Sequence, residues 1–179
     1  ATTGVLLVEG GAAGGKAIMT QQGWGDVANP VAANLTTSSG LELACGNTVY
    51  NVTLTNTSGT AGNTMTPITL PGQADGYTSL ADIDLDGNLD LVVASEGSTA
   101  TLYVWNPGNG TPVLMASISL PNTGGNWIGV PFIGDMDKDC QPEIGVTRAR
   151  RVYALDYDGT ATLSSKWTLI TTDASGFTG

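Results

Sequence analysis

Histidine is absent from this chain of 179 residues. That removes histidine-based triads, imidazole general bases and most zinc sites. Basic residues are nearly as scarce: six Lys and Arg stand against sixteen Asp and Glu, for a formal net charge of −10. Nucleic acid is bound by a basic surface, so no nucleic-acid partner is expected. No apolar run approaches the roughly 20 residues of a membrane span, so no membrane insertion is expected. Charged residues make up only 12% while glycine numbers 25, the balance of a turn-rich all-β chain long enough for a substantial core.

The charge that is present is concentrated. Asp82, Asp84, Asp86 and Asp90 occupy positions 1, 3, 5 and 9 of a nine-residue stretch, with Gly87 at position 6 and Asn88 at position 7. Asp135, Asp137, Asp139 and Glu143 repeat the pattern 53 residues later, around Cys140 and Gln141. Carboxylates at that spacing repel one another unless a hard cation joins them. Alternation puts the side chains of positions 1, 3 and 5 on one side of the turning backbone, and the carbonyl of position 7 adds an oxygen. Calcium takes such a set, with 6–8 oxygens at about 2.3–2.6 Å. An EF-hand is excluded, because position 12 is Val93 or Val146 where that motif needs a bidentate Glu. The two stretches read as two calcium loops, and the obvious paired carboxylates are committed to them. That leaves none for acid–base chemistry, and no enzyme activity is expected.

β-branched runs follow each loop, Leu91-Val92-Val93 and Ile144 to Val146, and read as strands. Further strands carry Tyr50, Tyr103 and Tyr153 at spacings of 53 and 50 residues. Two more end at Leu70-Pro71 and Leu120-Pro121. The register also predicts a degraded third loop, Asn34 to Glu42, that keeps an acid at position 9 and has lost most other charge. Little or no calcium is expected there. Four short antiparallel strands per period of about 50 residues describe a β-propeller blade. The fold class is therefore all-β, with about three four-stranded units at approximately 9–56, 57–109 and 110–160, and a further unit starting at 161–179. A closed propeller takes roughly 4–8 blades. One segment of this size reads as a fragment, a partial ring completed by other blades or chains, or an open array.

Asp82 to Asp90 with Leu91-Val92-Val93, and Phe132 to Glu143 with Ile144, resemble the FG-GAP/VCBS family of calcium-loop propeller repeats. That family is found in integrin α-subunits and in many secreted bacterial proteins. The resemblance covers about residues 30–160. Two departures stand out: the Gly-Ala-Pro element is missing, and Cys140 replaces the glycine of position 6. It implies an extracellular or cell-surface module, stiffened by about two Ca2+ ions, that binds a protein or glycan ligand in adhesion. Two alternatives remain open. One is a carbohydrate-active propeller, as a polysaccharide lyase or lectin module; the other is a structural subunit that assembles through its open edges.

Other signals weigh less. Gly10 to Ala17 nearly spells a phosphate loop, but Ala17 stands where a Ser or Thr would hold Mg2+, and a glycine-rich turn accounts for it better. Arg148, Arg150 and Arg151 read as a solvated hairpin turn. Trp24, Trp105, Trp127 and Trp167 read as core packing before sugar stacking. Cys45 reads as a buried free thiol, with a Cys45–Cys140 disulfide as the alternative.

Overall fold

A computed structural model describes residues 4–9, 16–22, 29–56, 58, 61–72, 75–108, 111–121 and 127–170, the first two stretches as backbone strands. The glycine loop before Lys16, Trp24 and the segment 171–179 lie outside the described residues. Every regular element described is a β-strand. A hairpin joins β1, Gly4–Glu9, to β2, Lys16–Gln22. The remaining strands form three four-stranded antiparallel sheets, which are blade-like units of a propeller.

The first sheet comprises β3, Val31–Ala33, β4, Glu42–Cys45, β5, Thr48–Thr53, and β6, Thr64–Thr69. The second comprises β7, Gly76–Ala81, β8, Asp90–Ser95, β9, Ala100–Asn106, and β10, Val113–Leu120. The third comprises β11, Phe132–Gly134, β12, Glu143–Arg148, β13, Arg151–Tyr157, and β14, Leu163–Ile170. Within each sheet the strands pair in chain order.

Sequence periodicity gives the period of the repeat and leaves its phase open. Hydrogen bonding decides the phase. β6 and β10, the strands before Leu70-Pro71 and at Leu120-Pro121, pair backward with β5 and β9. β14 likewise completes the third sheet instead of starting a new one at 161. The sheets therefore span 31–69, 76–120 and 132–170, each opening on the strand that leads into an acidic stretch.

The tyrosine register is also corrected at one point. Tyr103 faces Val93 and Tyr153 faces Val146, positions that correspond when the acidic loops are superposed. Tyr50 faces Leu43, the counterpart of Leu91, and so stands where Trp105 and Leu155 stand. Gly46-Asn47 alone link β4 to β5, whereas Glu96 to Thr99 link β8 to β9. β4 ends at Cys45, two positions earlier in the repeat than β8 at Ser95 and β12 at Arg148, so β5 turns back sooner and is slid by two residues, which keeps every side chain on its own face.

The core lies between sheets. All of β8 is buried, as expected of a strand covered on both faces. Its alternate side chains go opposite ways. Leu91 and Val93 join Leu35, Ala44 and Val49 of the first sheet. Val92 and Ala94 join Ile144, Val146 and Leu155 of the third. Polar contacts fasten the same interfaces. Gly46 donates its N–H to the Thr78 hydroxyl at 2.8 Å, and the Ser79 hydroxyl donates to the Pro131 carbonyl at 2.6 Å.

Arg148 overturns the expectation of a solvated basic turn. It is 0% exposed. Its guanidinium donates to the carbonyls of Pro121, Gly97 and Ser98 at 3.3, 3.2 and 3.4 Å, tying the third sheet to loops of the second. Burial pulls its pKa down from the usual arginine value. Arg150 is exposed and Arg151 half-buried.

Candidate metal centres

Each acidic stretch links the first strand of a sheet to the second, and the two share one hydrogen-bonding scheme. At position 1, Asp82 accepts the N–H groups of Asp86 and Gly87 at 3.0 and 2.9 Å. Asp135 accepts those of Lys138, Asp139 and Cys140 at 2.6, 3.1 and 3.1 Å. At position 3, Asp84 and Asp137 each accept the N–H of position 5 at 3.2 Å. At position 5, Asp86 and Asp139 each accept the N–H of position 7, Asn88 or Gln141, at 2.8 Å. The Asn88 side chain also donates to Asp86 at 3.0 Å. Short carboxylates thus wind the backbone around themselves, as Asp does in turns.

Winding the chain so tightly forces left-handed backbone. Gly87 has φ 91° and Cys140, at the same position, φ 70°; Leu85 and Lys138 at position 4 have φ 60° and 67°. Glycine takes such angles freely, and a side chain does not. Loop two therefore carries a strain at position 6 that loop one avoids.

The result is convergence. One carboxylate oxygen each from Asp82, Asp84 and Asp86 lie within 4.8 Å of one another, and so do those of Asp135, Asp137 and Glu143. Asp90 is not among the first three, nor Asp139 among the second. Asp90 and Glu143, both at position 9, are the buried members, at 0% and 1% exposure. One oxygen of each accepts the N–H of position 2, Ile83 at 2.9 Å and Met136 at 2.6 Å. The other oxygen, Asp90 Oδ1 or Glu143 Oε1, is buried and has no partner among the described residues. An unpaired buried carboxylate oxygen costs about 1–3 kcal/mol or more.

Glu42, the position-9 acid of the degraded loop, behaves differently. Its Oε2 accepts the N–H groups of Leu35 and Thr36 at 2.7 and 3.1 Å, and its Oε1 accepts the Thr36 hydroxyl at 2.9 Å. Thr36 stands at position 3, where the other loops carry Asp84 and Asp137. A neutral hydroxyl there gives Glu42 Oε1 the donor that Asp90 Oδ1 and Glu143 Oε1 lack among the described residues. The donor set of the two acidic loops, all oxygen with one buried orphan each, fits a hard divalent ion.

The charges respond accordingly. Burial pushes Asp90 up to about 7, the nearby Asp84 and Asp86 charges add to the rise, and the Ile83 N–H opposes it. In loop two a lysine intervenes. Lys166 on β14 reaches Asp137 at 2.9 Å, Asp156 at 3.4 Å and Asp139 at 3.5 Å. Its hydrogen bond holds Asp137 below the ordinary carboxylate range, and the carboxylates raise Lys166 in turn. Sequence reasoning passed over Lys166, since it lies 29 residues from Asp137. Only the bulge in the β13–β14 pairing, which falls at Lys166, turns it toward the loop.

Both cysteines are free thiols, Cys45 buried and Cys140 exposed. Of the described tryptophans, Trp105 is core at 2% exposure, whereas Trp127 and Trp167 are 67% and 45% exposed.

Comparison with known proteins agrees with this geometry. Residues 82–146 match the family model described as FG-GAP-like repeat. No curated protein matches the chain.

Proposed function

With residues 82–146 an FG-GAP-like repeat, we propose that the chain is a calcium-stiffened propeller segment that acts by binding, not by catalysis. It works outside the cell, where calcium is plentiful, and presents its rigid sheets to a protein or glycan ligand in adhesion. One observation carries the calcium reading. Among the described residues, the two loops rich in acid each leave one buried carboxylate oxygen unpaired, while the loop whose one remaining acid is Glu42 pairs both of its oxygens internally.

In this reading Asp82, Asp84 and Asp86, with the Asn88 carbonyl and the orphan oxygen of Asp90, hold one ion. Asp135, Asp137, Asp139 and Glu143, with the Gln141 carbonyl, hold the second. The ion supplies charge compensation, and the chain's own residues do the positioning. Eight of the sixteen acids sit in these loops, and two bound ions bring the formal charge from −10 to −6.

The test is a thermal melt in about 1 mM Ca2+ against excess EDTA. Extracellular sites bind at about 10⁻⁴–10⁻³ M, so each adds about 0.4–1.4 kcal/mol. Two sites then raise Tm by roughly 2–10 °C. Asp90→Asn keeps an acceptor for Ile83 N–H and removes the charge, so it should lose about half of the calcium shift. Glu42→Gln should leave that shift intact. An identical Tm with and without calcium would sink the reading.

A further inference from the structure

A cleft of about 430 Å³ opens between the first and second sheets, on the face that carries the acidic stretches. One wall is the degraded loop, with Asn34, Leu35 and Thr36. The other is Asn88 and Leu89 of loop one, closed by Asn106 at the end of β9. Both walls belong to this chain, within sheets that pack on one another. Leu35 is buried and Leu89 half-buried, so the apolar surface lies at the bottom. Asn34 and Asn88 are exposed at the mouth, and Thr36 and Asn106 are half-buried.

Hydrogen bonds within the chain hold these walls. The Thr36 hydroxyl donates to Glu42 at 2.9 Å and accepts the Ser38 N–H at 3.1 Å. Asn106 Oδ1 accepts the Gly108 N–H at 2.9 Å, and Asn88 Nδ2 donates to Asp86 at 3.0 Å. A carboxamide has both a donor and an acceptor end. Asn106 Nδ2, Asn88 Oδ1 and the whole Asn34 carboxamide have no partner among the described residues. Groups already held in place lose little freedom when a ligand arrives.

Charge separates this cleft from the matching joint between the second and third sheets. The pairing that aligns Trp105 with Leu155 puts Asp156 in the place of Asn106. The loops put Asp82 and Asp84 in the places of Asn34 and Thr36. That joint is acidic: burial, then the charges of Asp84 and Asp158, raise the Tyr157 pKa above the usual tyrosine value. In the first joint an amide or a hydroxyl stands for each of these three acids. A chain of formal charge −10 thus presents a neutral, polar opening there.

We propose that this cleft binds a neutral sugar, its hydroxyls paired with Asn34, Asn88 and Asn106 and an apolar ring face laid on Leu89. A sugar hydroxyl both donates and accepts, and so matches an amide edge that does the same. A uronate or a phosphate would meet no cation in the lining and a field of carboxylates around it. Small-molecule sites span about 300–1,000 Å³ and combine an apolar lining with a few placed polar groups. For its ligand class, a glycan, the site rests on the proposed function. Its lining includes no carboxylate, so it does not rest on the calcium reading.

The test is an array of neutral hexose and N-acetylhexosamine oligosaccharides, with uronic acid oligosaccharides beside them, followed by calorimetry of the full chain with the best binder. Binding of neutral members is expected. Asn34→Ala and Asn106→Asp should each weaken it about tenfold. The second keeps the oxygen that accepts the Gly108 N–H, and both variants should keep the Tm of the parent. The proposal is overturned if no neutral sugar binds at millimolar concentration, if the acidic members are preferred, or if binding ignores both substitutions. The calcium melt is a separate readout: its shift can survive each of those results, and sugar binding can survive the loss of that shift.

Discussion

Cys140 occupies a backbone angle, φ 70°, that its counterpart Gly87 adopts as a glycine. A left-handed residue with a side chain costs about 1–2 kcal/mol, and the greater unfolded-state freedom of glycine returns part of that. Cys140→Gly is therefore expected to stabilise the protein by up to about 1 kcal/mol in urea titrations. It should also tighten calcium at loop two in calorimetry; an unchanged affinity would mean that position 6 does not limit the site. Gly145 is constrained by space instead: a β-carbon there would meet the ring of Phe132. The acidic residues were legible one by one in the sequence, because their spacing alone states the chemistry. Thr36 was not, since a threonine means nothing until Glu42 is seen folded onto its hydroxyl.

At the scale of elements, the two acidic loops share a scheme and differ in their neighbours. Loop one meets no described lysine, whereas Lys166 of β14 sits on Asp137 and Asp139. An ammonium at 2.9 Å from the Asp137 carboxylate would compete with a divalent ion for that oxygen. Loop one should therefore bind calcium more tightly than loop two. Lys166→Met should strengthen the weaker site several-fold in a two-site calcium titration; equal affinities before and after would refute the competition. Strand identity was readable from β-branched runs and turn residues. The phase of the repeat was not, because β6, β10 and β14 are alike in pattern whichever neighbour they join. Hydrogen-bond partners settle it, and no periodicity contains them.

Across the whole molecule, Arg148 holds the second and third sheets together. Removing it strips three carbonyls of a donor and releases a buried charge. Arg148→Met is expected to destabilise by about 2–4 kcal/mol, read from urea unfolding. Stability also depends on pH through Asp90. Its folded pKa of about 7 lies above the ordinary 3.8. Between those values the folded, metal-free protein binds more protons than the unfolded chain. Without calcium, then, its contribution is fully present below about pH 4 and is lost as pH rises through about 7. An ion that neutralises Asp90 removes the loss, so the calcium-dependent rise in Tm should be larger at pH 8 than at pH 5. Equal shifts at both would show that Asp90 does not meet the ion.

The sequence by itself determined the oxygen-rich loops, the period of about 50 residues and the all-β class, because these depend on residue type and spacing along one chain. The tertiary structure decided the rest. It set the phase of the sheets, the two-residue slide of Tyr50, the burial of Arg148 and the reach of Lys166. Each of these depends on which segments meet across long stretches of chain, and such meetings are fixed by cross-strand hydrogen bonds and packing between sheets, which leave no local mark on the residues that make them.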